Sequence, residues 1–418
     1  MVSTFHGLET GKRALSVGQA SIATTGHNIA NANTKGYSRQ QVNQSTSPSL
    51  DVWTNSTNPG QLGSGVSIDS ITRVRDRFLD NQHRDQSATL GDAQAKQATF
   101  ERLETIINEP SDAGLNAVMD QLTNAWQDLE NNPDSVSAQA VLKQRAQEFL
   151  EVSQAMDSSM TNVKVDLGQQ KTAAIDDANR YLEQIAQLND TIVRGGNGSN
   201  DLKDQRDVLI EKLSSLAPIK VEAQANGSYT VNLVQKDGAQ VALVTGTTVN
   251  KMDDATEVDG GKIGGLQASI EKVEEYQNGD GTNGQVKGLT GITQAFIDAN
   301  NNSVNGDKLF NADNTVNFNG NITEVPPNLK AETGAVKSDY QELVSVLGAQ
   351  SQSASRSTAN FEATLQATEN RRQSVSGVSL DEEMANLVKF QHSYSAAARL
   401  ISTTDQMLDT IINRMAAR

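Results

Sequence analysis

The chain has no cysteine among its 418 residues. Disulfides, thiolate metal ligands and a cysteine nucleophile are therefore all excluded. Aromatic residues make up only 4% of the chain and hydrophobic residues 36%, with a mean hydropathy of −0.50. Little bulky material is available for one wide core, so the composition favours long helices and slender modules over a compact enzyme. No apolar run approaches the roughly eighteen residues that a membrane span requires. Nor does a basic segment followed by an apolar block open the chain. Neither membrane insertion nor a cleaved signal peptide is expected.

Residues that could carry chemistry are also sparse. His6, His27, His83 and His392 lie far apart and in no H-E-x-x-H spacing, so each reads as a surface or packed histidine. The phosphate-cradling G-x-x-x-x-G-K-[ST] and the nucleophile elbow G-x-S-x-G are absent. Gly60, Gly63 and Gly65 miss the order of a dinucleotide fingerprint and read as a turn. Segment 278–289 begins like a calcium loop, but Asn283 stands where the sharp turn needs glycine and Leu289 where the bidentate glutamate belongs. Asp176-Asp177 and Glu274-Glu275 read as solvated helix faces. No catalytic residue, metal site or cofactor is expected.

The formal charge of −16 is unevenly spread. Residues 1–42 carry +3 and residues 380–418 carry −1, which leaves −18 for the middle. Near-neutral ends can crowd together without strong repulsion, while an acidic middle argues against a nucleic-acid backbone as ligand.

What the chain does contain is a seven-residue apolar repeat at each end. Leu8, Leu15, Ile22 and Ile29 form it at the start; Leu380, Leu387, Tyr394, Ile401, Leu408 and Met415 form it at the finish. Such a repeat keeps one edge of a helix facing a partner helix, so both rows read as assembly seams. Gly7, Gly11, Ala14 and Gly18 flank the first seam and permit close approach. Each glycine inside a helix costs about 1 kcal/mol, so the order of this helix, expected over 4–32, should depend on packing. It should end between Asn28 and Gly36, where Asn31, Asn33 and Gly36 tolerate left-handed backbone.

Between the seams, Val66, Ile68, Thr72 and Val74 predict a strand, followed by helices at 76–108, 114–130, 136–194 and 201–215. The longest carries two heptad rows, Leu142, Phe149, Met156 and Val163, then Leu167, Ala174, Tyr181 and Leu188, offset by four residues. A stutter of this kind unwinds a coiled coil locally without breaking the helix. Asn226-Gly227 and Asp237-Gly238 between short apolar runs predict a β meander over 216–250. Residues 251–330 read as loop-rich, with helix only near 287–300. Helix resumes over 331–372, and Ser379 to Glu382 form a capping box that opens a last helix running to the chain end.

The layout predicts a mainly α protein with a β-rich insertion and nested, discontinuous domains. Residues 1–42 with 380–418 pair as a terminal coiled coil, 43–215 with 331–379 form a helical rod, and 216–330 form a β-rich outer domain.

Two stretches resemble known sequence signatures. His27-Asn28-Ile29-Ala30-Asn31-Ala32-Asn33-Thr34-Lys35-Gly36-Tyr37-Ser38-Arg39-Gln40 resembles the N-terminal signature of bacterial flagellar rod, hook and hook-associated proteins, and 377–415 resembles their C-terminal signature. The Gly36-Tyr37-Ser38-Arg39-Gln40 wording, Ser395 to Arg399 and Asn131-Asn132-Pro133 resemble the hook-associated members, whereas hook and rod proteins typically have a Phe-Lys type of ending. This resemblance covers 1–250 and 335–418.

The resemblance implies a structural subunit of the hook-filament junction, with Asn28, Asn31, Asn33, Gly36, Tyr37 and Arg39 as its signature turn. It implies export through the flagellar type III channel and self-association in a ring. The implied partners are hook protein, a second junction protein and an export chaperone. A hook or distal rod subunit, a secreted coiled-coil adhesin or translocator, and a hydrolase carried by an axial protein are the other readings. The last would need an active site clustered within 216–330.

Overall fold

A computed structural model describes residues 5–52, 60–112, 114–196, 199–279, 287–302 and 307–410. Helix α1 (His6–Ala30) leads into an antiparallel ribbon of β1 (Gln40–Thr46) and β4 (Val66–Arg73). The short pair β2 (Leu50–Val52) and β3 (Gly60–Leu62) lies between them. Helices α2 (Arg77–Ile107), α3 (Leu115–Asn131), α4 (Val136–Gly195) and α5 (Asn200–Leu216) follow. Next comes a four-stranded antiparallel meander, β5 (Ile219–Ala223), β6 (Tyr229–Val234), β7 (Gln240–Thr245) and β8 (Thr248–Val249). Helices α6 (Gly261–Asn278), α7 (Leu289–Asn301), α8 (Leu329–Ser376) and α9 (Leu380–Asp409) complete the order.

Two apolar cores build the body. The first gathers α2, α3, the front of α4, α6, α7 and α8 around Leu103, Leu122, Trp126, Phe149, Phe296 and Tyr340. The second sets the back of α4 and α5 against the meander through Ala178, Leu182, Ile185, Leu213, Val231 and Val244. The heptad offset in α4 falls at the passage between them. Leu142, Phe149, Met156 and Leu167 serve the first core and Ala174 the second. Beyond Ala174 the buried row moves to Leu182, Ile185 and Asn189, so Tyr181 and Leu188 are only half-buried. The hairpins turn where expected, with positive φ at Gly227 (88°) and Gly238 (81°).

The structure differs from the sequence expectation in three places. Strands β1 to β3 carry too few apolar residues in alternation to be read. Helix α6 starts among Gly260, Gly261, Gly264 and Gly265, which mimic a loop, yet the last three admit neighbouring backbone. A Cβ on Gly265 would stand 2.7 Å from the Asp92 carbonyl oxygen of α2. With α6 and α7 in the first core, the β-rich outer domain expected over 216–330 shrinks to the meander at 219–249.

Candidate functional site

The terminal helices pair antiparallel along a seam of small residues. On α1 the inward line is Gly7, Gly11, Ala14, Gly18, Ser21, Thr25 and Asn28, at alternating spacings of four and three. The facing line on α9 is Glu383, Leu387, Phe390, Tyr394, Ala397, Ile401, Thr404 and Leu408. A Cβ on Gly11 would lie 2.7 Å from Ile401 Cγ1, and one on Gly18 would lie 3.4 Å from Tyr394 Cβ. Large side chains of α9 thus lie over the gaps that α1 leaves, much as a knob enters a hole.

Placement of the expected seam residues follows from this geometry. Leu387, Tyr394, Ile401 and Leu408 lie on the α1-facing side of α9 and are half-buried. Leu8, Leu15, Ile22 and Ile29 sit one residue along from the small-residue line, so they flank the contact and remain half-exposed. Leu380 is 49% exposed at the first turn, and Met415 lies outside the described residues. The apolar row of α1 was legible, but close backbone approach placed its glycines, not its leucines, at the centre.

The signature turn fastens this pair. Asn28 is buried and uses its whole amide: Nδ2 donates to the Gln40 carbonyl (2.9 Å) and Glu383 Oε2 (3.1 Å), and Oδ1 accepts from Tyr37 Oη (2.7 Å) and the Gln40 N–H (2.9 Å). Burial and the nearby charges of Asp201, Asp204 and Glu383 raise the Tyr37 phenol above its ordinary pKa, which keeps it a donor. Arg39 Nη1 reaches Glu382 Oε2 at 2.9 Å, and the Arg39 N–H donates to the Ser376 carbonyl. Ser379 accepts from the Glu382 N–H as the capping box predicts, while the Glu382 carboxylate turns to Arg39. Left-handed backbone occurs only at Gly36 (φ 82°), not at Asn31 or Asn33. A side chain at Gly36 would collide with Val208 of α5. Asn31 closes the turn by bonding the His27 carbonyl and Thr34, and Asn33 is exposed.

Sequence reading missed the surface that receives the turn. Asp201, Asp204, Asp207 and Glu211 recur along one side of α5, a spacing that could have marked it. Asp204 accepts from the Ser38 N–H (3.0 Å), Ser38 Oγ (2.7 Å) and Arg73 Nη1 (2.7 Å). Asp207 accepts from Arg73 and Arg75 at 2.7 and 2.8 Å, and Arg75 is bidentate on Asp80. Arg372 of α8 pairs with Glu211 and Glu369. Burial opposes charge on these guanidiniums, but Asp207 and Asp204 raise Arg73 above its ordinary value and Glu211 raises Arg372. Among the described residues, no group of three or more His, Cys, Asp or Glu side chains could hold a metal ion. The arrangement is a clasp between chain segments, in which most donors meet an acceptor of the same molecule, while Arg84 Nε and Asp207 Oδ1 are buried without a hydrogen bond.

Comparison with known proteins identifies the family. The model of the flagellar hook-associated protein FlgK helical domain matches residues 100–319. Those of the flagella basal body rod protein and the flagellar basal body rod FlgEFG protein C-terminal region match 8–37 and 370–415. Flagellar hook-associated protein 1 of Bacillus subtilis (strain 168) is 31% identical over 507 residues, covering 99% of both chains. That of Escherichia coli (strain K12) is 25% identical over 69% of this chain and 52% of its own length. The structure of the flagellar hook junction protein FlgK from Burkholderia pseudomallei gives a TM-score of 0.47 at 22% identity, over 55% of this chain and 46% of that one. With the helical-domain model spanning more than half of the sequence and a relative 31% identical across nearly all of it, the chain belongs to the flagellar hook-associated protein 1 (FlgK) family.

Proposed function

We propose that the protein is a structural subunit of the junction between flagellar hook and filament, assembled in a ring through its terminal helices. The observation that carries this reading is the α1–α9 pair. It satisfies one face of each helix and leaves Leu380, Met384 and Val388 exposed on α9, beside the half-buried row Leu8, Leu15, Ile22 and Ile29 of α1. Neighbouring copies would cover these rows, since an apolar stripe at helical spacing is stabilised by a partner helix. Hook protein below, a second junction protein above and an export chaperone before assembly are the partners this reading takes. No step of it requires catalysis.

The matches of both ends to basal body rod proteins favour a second reading, a rod or hook subunit. The middle separates the two, because residues 100–319 match the FlgK helical domain. Localisation of labelled protein on isolated flagella tests the proposal. A band confined to the hook-filament boundary is expected, and uniform label along the hook or the rod would overturn it.

A further inference from the structure

The terminal pair and its ribbon are attached to the body differently from the way the body is held together. No side chain of α1, α9, β1 or β4 belongs to either apolar core among the described residues. Their link to the body is the clasp, where charged groups meet from four directions, beside uncharged hydrogen bonds from Asn200 to the Ile71 carbonyl and Gln40 and from the Arg39 N–H to the Ser376 carbonyl. From α5 come Asp204, Asp207 and Glu211, with Lys203 and Arg206 beside them; from β4 and the residues after it, Arg73 and Arg75. Helix α2 adds Asp80, His83 and Arg84, and α8 adds Glu369 and Arg372. Outside this group, Asp201 meets Gln40 and His27 at the exposed rim.

We propose that the clasp is an acid-operated release: acidification frees the terminal helices, still paired with each other, from a body that stays folded. Protonating the carboxylates would strand Arg73 and Arg75, the nearly buried arginines on the ribbon side, without counter-charge. The body also carries ion pairs of this group, Arg84–Asp207 and Arg372–Glu211 among α2, α5 and α8, but its two apolar cores hold it together without them. Within the terminal pair acid would remove the Arg39–Glu382 bridge, while the seam contacts are apolar and the Asn28 amide keeps its bonds to Gln40 and Tyr37.

The direction of the effect follows from linkage. Burial pushes the Asp207 carboxyl up, but Arg75, Arg73 and Arg84 hold it below its ordinary value. Held down in this way it stabilises the clasp above the ordinary carboxylate range, and that contribution is lost as pH falls through its depressed value. His83, lowered from 6.5 by burial and Arg372, faces Glu369 and Arg372 across body helices that release does not separate, so its titration adds nothing to release. Release therefore follows the carboxylates and is completed beneath their ordinary range.

The cysteine-free chain allows a direct measurement with spin labels on introduced exposed pairs, read by pulsed dipolar spectroscopy from about pH 8 to about pH 3, which spans the ordinary carboxylate range. Ser395→Cys with Asp176→Cys reports terminal pair against body. Ser16→Cys with Ser395→Cys reports within the pair, and Asn124→Cys with Asp176→Cys within the body. The first distance distribution should broaden on acidification while the other two stay narrow. Simultaneous broadening of all three, or a first pair that stays narrow throughout, would overturn the proposal. Asp207→Asn removes the same charge without acid and should broaden the first pair at about pH 8. If that chain does not fold, Arg73→Gln, which removes the ribbon's own cation from Asp204 and Asp207, should raise the midpoint of release, and an unchanged midpoint counts against the clasp.

Discussion

The body and the terminal pair solve the same problem, fixing helices against one another, with opposite materials. In the body, large side chains such as Trp126, Phe149 and Tyr340 are removed from water in a continuous apolar cluster. In the terminal pair, backbones approach over Gly7, Gly11 and Gly18, and one amide, Asn28, ties the ends. Burial of apolar area stabilises roughly in proportion to area, so the body is secured by its own chain. A small-residue seam buries little area, and it leaves large side chains outward for neighbours. The contrast teaches which part is built as a finished unit and which as a component.

Five substitutions sharpen that contrast, the first four in descending order of expected effect on stability. Trp126 is buried and its indole N–H donates to Asn300 at 2.6 Å. Trp126→Ala should cost about 3 to 5 kcal/mol of body stability, measured by denaturant unfolding followed through far-ultraviolet circular dichroism. Asn28→Ala orphans the Gln40 backbone and Tyr37, at about 1 to 3 kcal/mol, and the loss should appear as faster amide exchange at 6–40 and 380–400 while 115–192 stay protected. Equal loss in both regions would erase the distinction between them. Gly11→Val drives a side chain into Ile401 and should cost about 1 to 3 kcal/mol by overpacking, again confined to α1 and α9. Arg399 is exposed on α9, so Arg399→Gln should change stability by about 0.5 kcal/mol or less and leave motility intact. By contrast, Ile22→Asp on the half-exposed row should fold but fail to retain filaments, read by swimming with export into the medium checked. If Arg399→Gln and Ile22→Asp swim alike, that row is not an assembly surface.

Much of this architecture was legible from periodicity. The eight helices that sequence reading expected all form, because each has an apolar stripe that persists for several turns or a defined cap, as at Ser379. Helix α6 is hidden in the sequence because glycine ordinarily marks irregular chain, whereas at Gly264 and Gly265 it serves close packing. The ribbon escaped because QQVNQST has hardly any apolar alternation and relies on α1 and on side-chain amides for support. At the site, the signature turn was recognised by resemblance, yet its receiving surface was not. Ser38 and Asp204 are 166 residues apart, and no local pattern announces a hydrogen bond across that distance.

Helix α4 has a mechanical consequence. It runs unbroken for 60 residues and belongs to both cores, so the two halves of the body share one continuous backbone instead of meeting at a hinge. Twisting one half against the other would require straining covalent chain and a ladder of intrahelical bonds. A torque applied to the molecule is thus carried along a stiff beam, and compliance concentrates at the polar attachment of the terminal helices. The part would behave as a rigid strut on a pliable foot.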